Sequence, residues 1–311
     1  MKLRYLMAAS ATAAALLATT VTAYPAEAAE PARPLALPAL TNQALSARYQ
    51  ASSQAIAVAA RAARQAGNTQ LTSALETLGS HQVLFFDPHG QGLAAVVLGD
   101  LATASRVAIL IPGSDTTLST FFSPGPASPG GGAVALADEA RRLQPGARLA
   151  VIAWLGYQAP ATLSVEVATS GDAKAGAQAL RPLVIALARD GEQVALLCHS
   201  YGSVVCGAAA AGLPVTDIAV FGSPGMDAPS AAALDTKARV WAGRGSNDWI
   251  RFVPHAQVFG LGFGDDPMAA GFGARVFAAG GGGHSDYLDP GSVSLRNLTE
   301  IALGHPAAVT S

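Results

Sequence analysis

The sequence predicts an α/β fold in which a mainly parallel sheet carries helices on both faces, with a helical arm at the N-terminus. Two observations predict this class. Short apolar runs of strand length alternate with longer segments of helix-forming residues, as in parallel strands that are buried on both faces. The first two runs, 83–86 and 93–98, are instead joined by a cluster of turn residues, which predicts an antiparallel hairpin at one edge.

The composition bounds the possible functions. The chain has 311 residues, of which 50% are hydrophobic and 13% charged, enough for one large domain with a substantial core. Its net charge is −2 and no basic block occurs, so no nucleic-acid partner is expected. No His, Cys and Asp residues have metal-ligand spacing, and no glycine-rich loop has a phosphate-binding context, so neither a metal nor a cofactor is expected.

The first residues predict export. Lys2 and Arg4 precede an Ala-rich apolar run at 6–23, and a small-x-small site ends at Ala28. This pattern is typical of a secretory signal peptide, here residues 1–28, and it predicts a secreted, extracellular protein. The run is too short and too weakly hydrophobic for a membrane anchor, and no later segment is expected to span a bilayer.

The rest of the chain divides into an arm and a main domain. Residues 29–40 are Pro-rich and predicted to be extended, and two helices that end near Gly67 and Gly79 follow them. The predicted arm therefore occupies 29–79, and the α/β domain occupies 80–311.

The most informative stretch is 193–212, QVALLCHSYGSVVCGAAAAG. A buried strand, a sharp turn around Ser200 and a helical segment follow one another, which is the nucleophile elbow of the α/β-hydrolase fold. The usual motif is G-x-S-x-G, and its first glycine is replaced here by Cys198, another small residue. Cys198 and Cys206 flank the elbow, and their spacing leaves both a disulfide and two buried thiols open.

The residues beyond the elbow supply catalytic partners in the order of this fold, which is serine, acid, histidine. Asp248 follows the second predicted strand after the elbow, and His284 follows the last strand behind a run of four glycines. His284 would take the proton of Ser200, and Asp248 would orient the imidazole ring. Asp227, one strand earlier, is the rival acid.

An oxyanion hole needs two N–H donors. The amide of Tyr201, directly after the nucleophile, is the first candidate. The second is expected in the loop after the third strand, where Ser114 is preferred and Gly113 is the alternative.

Two loops at the catalytic edge carry apolar side chains. Phe121 and Phe122 follow the loop that carries Ser114. They are predicted to bind substrate at the rim of an acyl pocket. A second loop holds five more such residues, namely Phe259, Leu261, Phe263, Met268 and Phe272. The alternative for all of them is that they cap the core.

Five short motifs are shared with a known family. They are PGSDT at 112–116, WLGY at 154–157 with Pro160, HSYGS at 199–203, FGSPG at 221–225 and GHSDY at 283–287. Through them the chain resembles the secreted bacterial α/β-hydrolases of the Abhydrolase_8 group over roughly residues 80–300. The resemblance implies the fold and the Ser-Asp-His triad, although the family usually has glycine in place of Cys198. Some secreted relatives resemble phospholipase A1 or esterases.

The leading prediction is a secreted serine hydrolase that cleaves carboxylic esters through an acyl-enzyme, with a small-molecule or lipid ester as its partner. Esterase, lipase and phospholipase A1 types all fit this prediction. An acyltransferase or amidase with the same triad is one alternative. A non-catalytic binding module on a hydrolase scaffold is the other, because a fold does not fix a function.

Overall fold

The computed structural model describes four stretches of the chain, which are residues 39–162, 169–189, 191–253 and 262–311. The predicted signal peptide, 1–28, and the Pro-rich segment as far as residue 38 lie outside these stretches. Within them, no helix has both the length and the apolar character that crossing a bilayer would need.

The centre of the fold is an eight-stranded sheet with the order β1-β2-β4-β3-β5-β6-β7-β8. The strands are β1 (Gln82–Asp87), β2 (Leu93–Leu98), β3 (Arg106–Ile111), β4 (Leu149–Leu155), β5 (Gln193–His199), β6 (Asp217–Phe221), β7 (Arg239–Gly243) and β8 (Arg275–Val276). The strands from β4 through β3 to β8 are parallel, whereas β1 pairs antiparallel with β2, and β2 with β4. The mainly parallel sheet and its antiparallel edge hairpin are confirmed.

Six α-helices lie along the described stretches. They are α1 (Asn42–Gln65), α2 (Thr69–Gly79), α3 (Pro129–Leu143), α4 (Gly171–Arg189), α5 (Gly202–Ala209) and α6 (Val293–Leu303). Successive residues of β3 point into different cores: Val107 and Ile109 face helices α4 and α5, whereas Ala108 and Leu110 face α3 and α6. Both faces of the sheet are therefore covered, which explains why its strands are apolar at nearly every position.

The N-terminal arm consists of α1 and α2. The side chains of Thr41 and Asn68 cap their N-termini by accepting hydrogen bonds from backbone N–H groups. Ile56 and Leu75 are buried where the two helices meet, in the same core as β2 and α3. The two helices predicted within the arm are confirmed.

A disulfide joins Cys198, the penultimate residue of β5, to Cys206 in α5, with a Cα–Cα distance of 6.5 Å. Both residues are completely buried. The sequence left open whether these two cysteines form a disulfide or are two buried thiols, and the structure has the disulfide. The bond also accounts for cysteine at a position where glycine is usual, because the side chain is used as a crosslink between strand and helix.

Candidate active site

Ser200 lies in the sharp turn between β5 and α5. Its backbone has a φ of 51°, a left-handed conformation that is costly for a residue with a side chain. The N–H of Ser200 donates to the carbonyl oxygen of Phe221 at 3.0 Å, which ties the turn to the neighbouring strand. At Gly202 a Cβ atom would stand 2.6 Å from the carbonyl oxygen of Ile111. The second glycine of the elbow motif is thus required by the close approach of α5 to β3.

The structure brings Ser200, His284 and Asp248 together. His284 Nε2 lies 2.9 Å from Ser200 Oγ, and His284 Nδ1 lies 2.9 and 3.0 Å from the two carboxylate oxygens of Asp248. Since a carboxylate only accepts, Nδ1 carries the ring proton and Nε2 offers its lone pair to the serine hydroxyl. This is the tautomer in which the imidazole can act as a general base.

Asp248 is completely buried and receives several hydrogen bonds. Burial alone would raise the pKa of this carboxyl group and is the largest single influence on it. Hydrogen bonds from His284, from the Tyr287 hydroxyl and from the Ile250 N–H together outweigh burial, so the pKa is lowered from its usual value. The carboxylate therefore remains charged where it faces the imidazole ring.

Tyr287 was assigned no role from the sequence. Its hydroxyl donates to Asp248 Oδ2 and accepts from the Gly245 N–H at 3.0 Å. Burial and the adjacent carboxylate raise the pKa of this phenol far above its usual value, so the hydroxyl stays a donor. The one feature of the sequence that could have pointed to Tyr287 is its position three residues after His284, in the motif GHSDY.

The rival acid occupies a different place. Asp227 lies in the loop after β6 with a φ of 55°, and its N–H donates to the carbonyl oxygen of Phe263 at 2.7 Å. Both hydrogen bonds of His284 Nδ1 go to Asp248 instead. The geometry therefore favours Asp248.

Ser114, the candidate second donor, lies beside the nucleophile together with Tyr201, and both line the same cavity. Gly113 approaches so closely that a Cβ atom there would stand 2.7 Å from the Cβ of Ser200. Within the described stretches, neither the Ser114 N–H nor the Tyr201 N–H donates to a protein acceptor. Both amides can therefore serve the oxyanion of a bound acyl group.

The loop at 112–116, which carries the candidate oxyanion donor Ser114, is held in place by side chains around it. The Tyr157 hydroxyl donates to the carbonyl oxygen of Pro112 at 2.8 Å, and the Thr116 hydroxyl donates to that of Gly113 at 3.0 Å. The Asp115 carboxylate accepts from the N–H and the hydroxyl of Thr162. These bonds fix the backbone amides in advance, which preorganisation of an oxyanion hole requires.

His199 connects the nucleophile strand to the loop of the histidine. Its Nε2–H donates to the backbone carbonyl oxygen of His284 at 2.8 Å, and the two rings lie 4.9 Å apart. Burial, and then the proximity of His284, lower the pKa of His199 to about 4. The ring is therefore neutral near pH 7. From the sequence, His199 was expected only to pack beneath the elbow, with no catalytic role.

A cavity of about 770 Å³ opens above Ser200. This size is typical of a site for a small organic ligand. Its apolar lining comes from β3, from the start of α3 and from several connecting segments, and includes Leu110, Pro129, Pro224, Trp249, Phe263 and Leu288. Among the described residues, no cluster of His, Cys, Asp or Glu is arranged to hold a metal ion.

The predicted substrate-binding role of Phe121 and Phe122 is corrected by the structure. Phe121 is 1% exposed and belongs to the core, and Phe122 packs against it and stacks on His81. Neither residue lines the cavity. The reason is that the loop folds back onto the start of α3, where the Gly130 N–H donates to the carbonyl oxygen of Phe121. The two rings thereby cap the core.

The second apolar loop divides between core and cavity. Phe263 lines the cavity, whereas Phe272 is buried and Met268 packs against the core. Phe259 and Leu261 lie outside the described residues.

The fold and this arrangement define the class of the protein, an α/β hydrolase. The Abhydrolase_8 model, whose description is alpha/beta hydrolase, matches residues 87–258, and the chain belongs to this family. The uncharacterized protein Rv2079 of Mycobacterium tuberculosis is 32% identical over 255 residues, covering 71% of this chain and 38% of the relative. The uncharacterized protein Rv0963c of the same organism is 32% identical over 178 residues, covering 54% and 66%. The chain thus spans little more than a third of the first relative.

Solved structures resemble the chain more distantly. Esterase PE8 is 17% identical, with a TM-score of 0.44 over 67% of this chain and 97% of that one. Esterase LipW from Mycobacterium marinum is 14% identical, with a TM-score of 0.42 over 87% and 90%. Likeness at this level carries no argument about the reaction, which has to come from the site itself.

Proposed function

We propose that the protein is a secreted serine hydrolase that cleaves carboxylic esters through an acyl-enzyme. The observation that carries the proposal is the hydrogen-bonded chain from Ser200 Oγ through His284 to Asp248, which faces an apolar cavity. A serine hydroxyl needs an adjacent base to become a nucleophile, and the base needs an orienting group. All three parts are in hydrogen-bond contact.

The proposed reaction has two stages. In acylation, Ser200 Oγ bonds to the ester carbonyl carbon while His284 Nε2 takes the hydroxyl proton, and the carbonyl oxygen develops charge beside the amides of Tyr201 and Ser114. The carbon–alkoxy bond then breaks, and His284 returns the proton to the departing alcohol. In deacylation, water attacks the acyl-enzyme by the same route, and the carboxylic acid leaves.

The cavity lining favours lipid-like esters. Its walls are mostly apolar, and among the lining residues that the structure describes there is no lysine or arginine to bind an anionic group. Burying an alkyl chain there contributes roughly 25 cal/mol for each Å² removed from water. Activity is therefore expected to rise from acetyl to medium-chain esters.

Export is supported by the signal-peptide pattern of residues 1–28 and by the disulfide between Cys198 and Cys206. Disulfides form and persist in oxidising compartments outside the cytosol. Intact mass spectrometry of protein recovered from culture medium tests this part. The expected mass lacks the residues up to Ala28, and a mass that retains Met1 contradicts the proposal.

The catalytic part is tested with p-nitrophenyl esters of increasing acyl length beside phospholipid, triglyceride and amide substrates. Ser200→Ala is expected to lower ester turnover by about 10³-fold or more while the circular dichroism spectrum is unchanged. Ser203→Ala is the matched control, because its hydroxyl donates to the Cys198 carbonyl oxygen in the same elbow but lies outside the cavity. Near-normal turnover by folded Ser200→Ala would remove the basis of the proposal.

A further inference from the structure

Trp249 is a large aromatic residue that the fold leaves half-exposed beside the triad. Its exposed fraction is 48%, whereas the other two tryptophans, Trp154 and Trp241, are 2% and 4% exposed. Burying a large aromatic side chain is favourable, so one that stays exposed beside a cavity indicates a surface that binds a ligand. Trp249 lines the cavity above Ser200, so its exposed surface is available to a bound molecule.

The position of Trp249 is fixed by the catalytic acid. Trp249 directly follows Asp248 and begins a short 3₁₀ helix, Trp249–Phe252. Asp248 caps this helix by accepting a hydrogen bond from the Ile250 N–H at 2.8 Å. The carboxylate that orients His284 therefore also orients the segment that carries the indole.

The indole lies against the catalytic base. The ring centroids of Trp249 and His284 are 4.5 Å apart, and the ring planes are inclined by 44°. Any group that receives a proton from His284 Nε2 has to come within hydrogen-bond distance of that nitrogen. It therefore comes close to the indole as well.

The chemistry of acylation identifies that group. The proton taken from Ser200 passes from His284 to the alkoxy oxygen of the departing alcohol, as the carbon–oxygen bond of the ester breaks. The carbonyl oxygen lies at the amides of Tyr201 and Ser114 instead. The alcohol part of the ester is thus the part that lies beside His284 and Trp249.

We propose that Trp249 is a specificity-determining residue and forms the wall of an alcohol subsite that selects apolar or aromatic alcohols. This inference rests on the proposed ester hydrolysis at Ser200. The indole offers a flat apolar face to an alkyl chain or a phenyl ring. The selection acts in acylation only, because the alcohol has left before water attacks the acyl-enzyme.

The test compares methyl, hexyl and benzyl butyrate by kcat/KM, which reports acylation. Trp249→Ala is expected to lower the preference for benzyl over methyl butyrate by about tenfold, the size of one good aromatic contact. Trp249→Phe is expected to retain most of the preference. Phe252→Ala is the matched control. Phe252 is an aromatic residue of the same 3₁₀ helix and is 73% exposed, but its side chain does not line the cavity.

A second series with one alcohol and increasing acyl length separates specificity from general damage. Trp249→Ala is expected to leave the shape of this acyl profile unchanged. Equal losses on methyl, hexyl and benzyl butyrate, or the same loss of preference in Phe252→Ala, would overturn the inference. If Ser200→Ala keeps ester turnover, the proposed function itself fails, and the two failures are thereby distinguishable.

Binding without turnover gives an independent measurement. Because Trp249 is the half-exposed tryptophan, benzyl butyrate added to Ser200→Ala is expected to protect it from fluorescence quenching by acrylamide. The protection should be lost when Trp249→Phe is added to Ser200→Ala. Protection that persists in the double variant would contradict contact between the alcohol and the indole.

Discussion

The Nε2–H of His199 donates to the backbone carbonyl oxygen of His284 at 2.8 Å. The residue before the proposed nucleophile, Ser200, therefore holds the loop that carries the proposed catalytic base. Two residues that are far apart in the chain are joined by one hydrogen bond, next to the bond between Ser200 and His284. We expect the alignment of Ser200 with His284 to depend on this bond.

Replacing His199 should lower activity. His199→Phe keeps a ring of similar shape but removes the donor, and it leaves the carbonyl oxygen of His284 unsatisfied, which costs about 1–3 kcal/mol. We expect kcat/KM to fall by about tenfold or more. His199→Gln, which retains an N–H donor, should recover part of the loss. Full activity in His199→Phe would show that the bond does not position the base.

The same residue predicts how stability depends on pH. The pKa of His199 is lowered in the folded protein to about 4, whereas an unfolded histidine titrates near 6.5. Between these two pKa values the unfolded chain binds more protons than the folded protein does. The free energy of unfolding therefore increases as the pH rises from about 4 to about 6.5, and this contribution is lost on acidification. Urea titrations from pH 4 to pH 7 should give a flatter pH dependence for His199→Phe. An unchanged slope would contradict the assignment.

The catalytic acid can be identified by exchange of each aspartate. Asp248→Asn should lower kcat by about 10³-fold or more, because the amide no longer favours the tautomer with the proton on Nδ1. Asp227→Asn is the matched control and should retain activity within about tenfold, since His284 Nδ1 contacts Asp248 instead. The reverse ranking of the two variants would transfer the role to Asp227.

Tyr287 should matter for both stability and activity. Tyr287→Phe removes one donor from the buried Asp248 carboxylate and the acceptor of the Gly245 N–H. A loss of about 1–3 kcal/mol in the free energy of unfolding is expected, together with lower kcat/KM. Thermal unfolding and ester assays measure the two effects. Parent-like values in both would mean that water or another group replaces the hydroxyl.

The disulfide should stabilise the fold measurably. It closes a loop between residues eight apart in sequence, for which the chain-entropy model gives about 2.5 kcal/mol. The double variant Cys198→Ala, Cys206→Ala should unfold at correspondingly lower urea concentration, and reduction should no longer affect it. Thiol titration of the unfolded, unreduced parent should find no free thiol, and two free thiols would contradict the bond.

The parts predictable from the sequence were those that local pattern and chain order determine. The apolar runs indicated the strands, and the order of Ser200, Asp248 and His284 indicated which loops would meet. The burial of Phe121 depends on how its loop folds onto α3, which no local pattern encodes. The bonds of His199 and Tyr287 likewise join residues that are distant in sequence, so only the packed structure reveals them.

The proposed catalytic base, His284, lies in the segment that follows the shortest strand of the sheet. β8 has two residues, Arg275 and Val276, and its loop is further held by bonds such as that from Asn247 Nδ2 to the carbonyl oxygen of Gly281 at 2.7 Å. So few backbone ladder bonds give this edge low resistance to local opening. Amide hydrogen exchange should therefore be faster here than in β3 or β5. On heating, hydrolysis should cease before the central strands melt, and cooling should restore it.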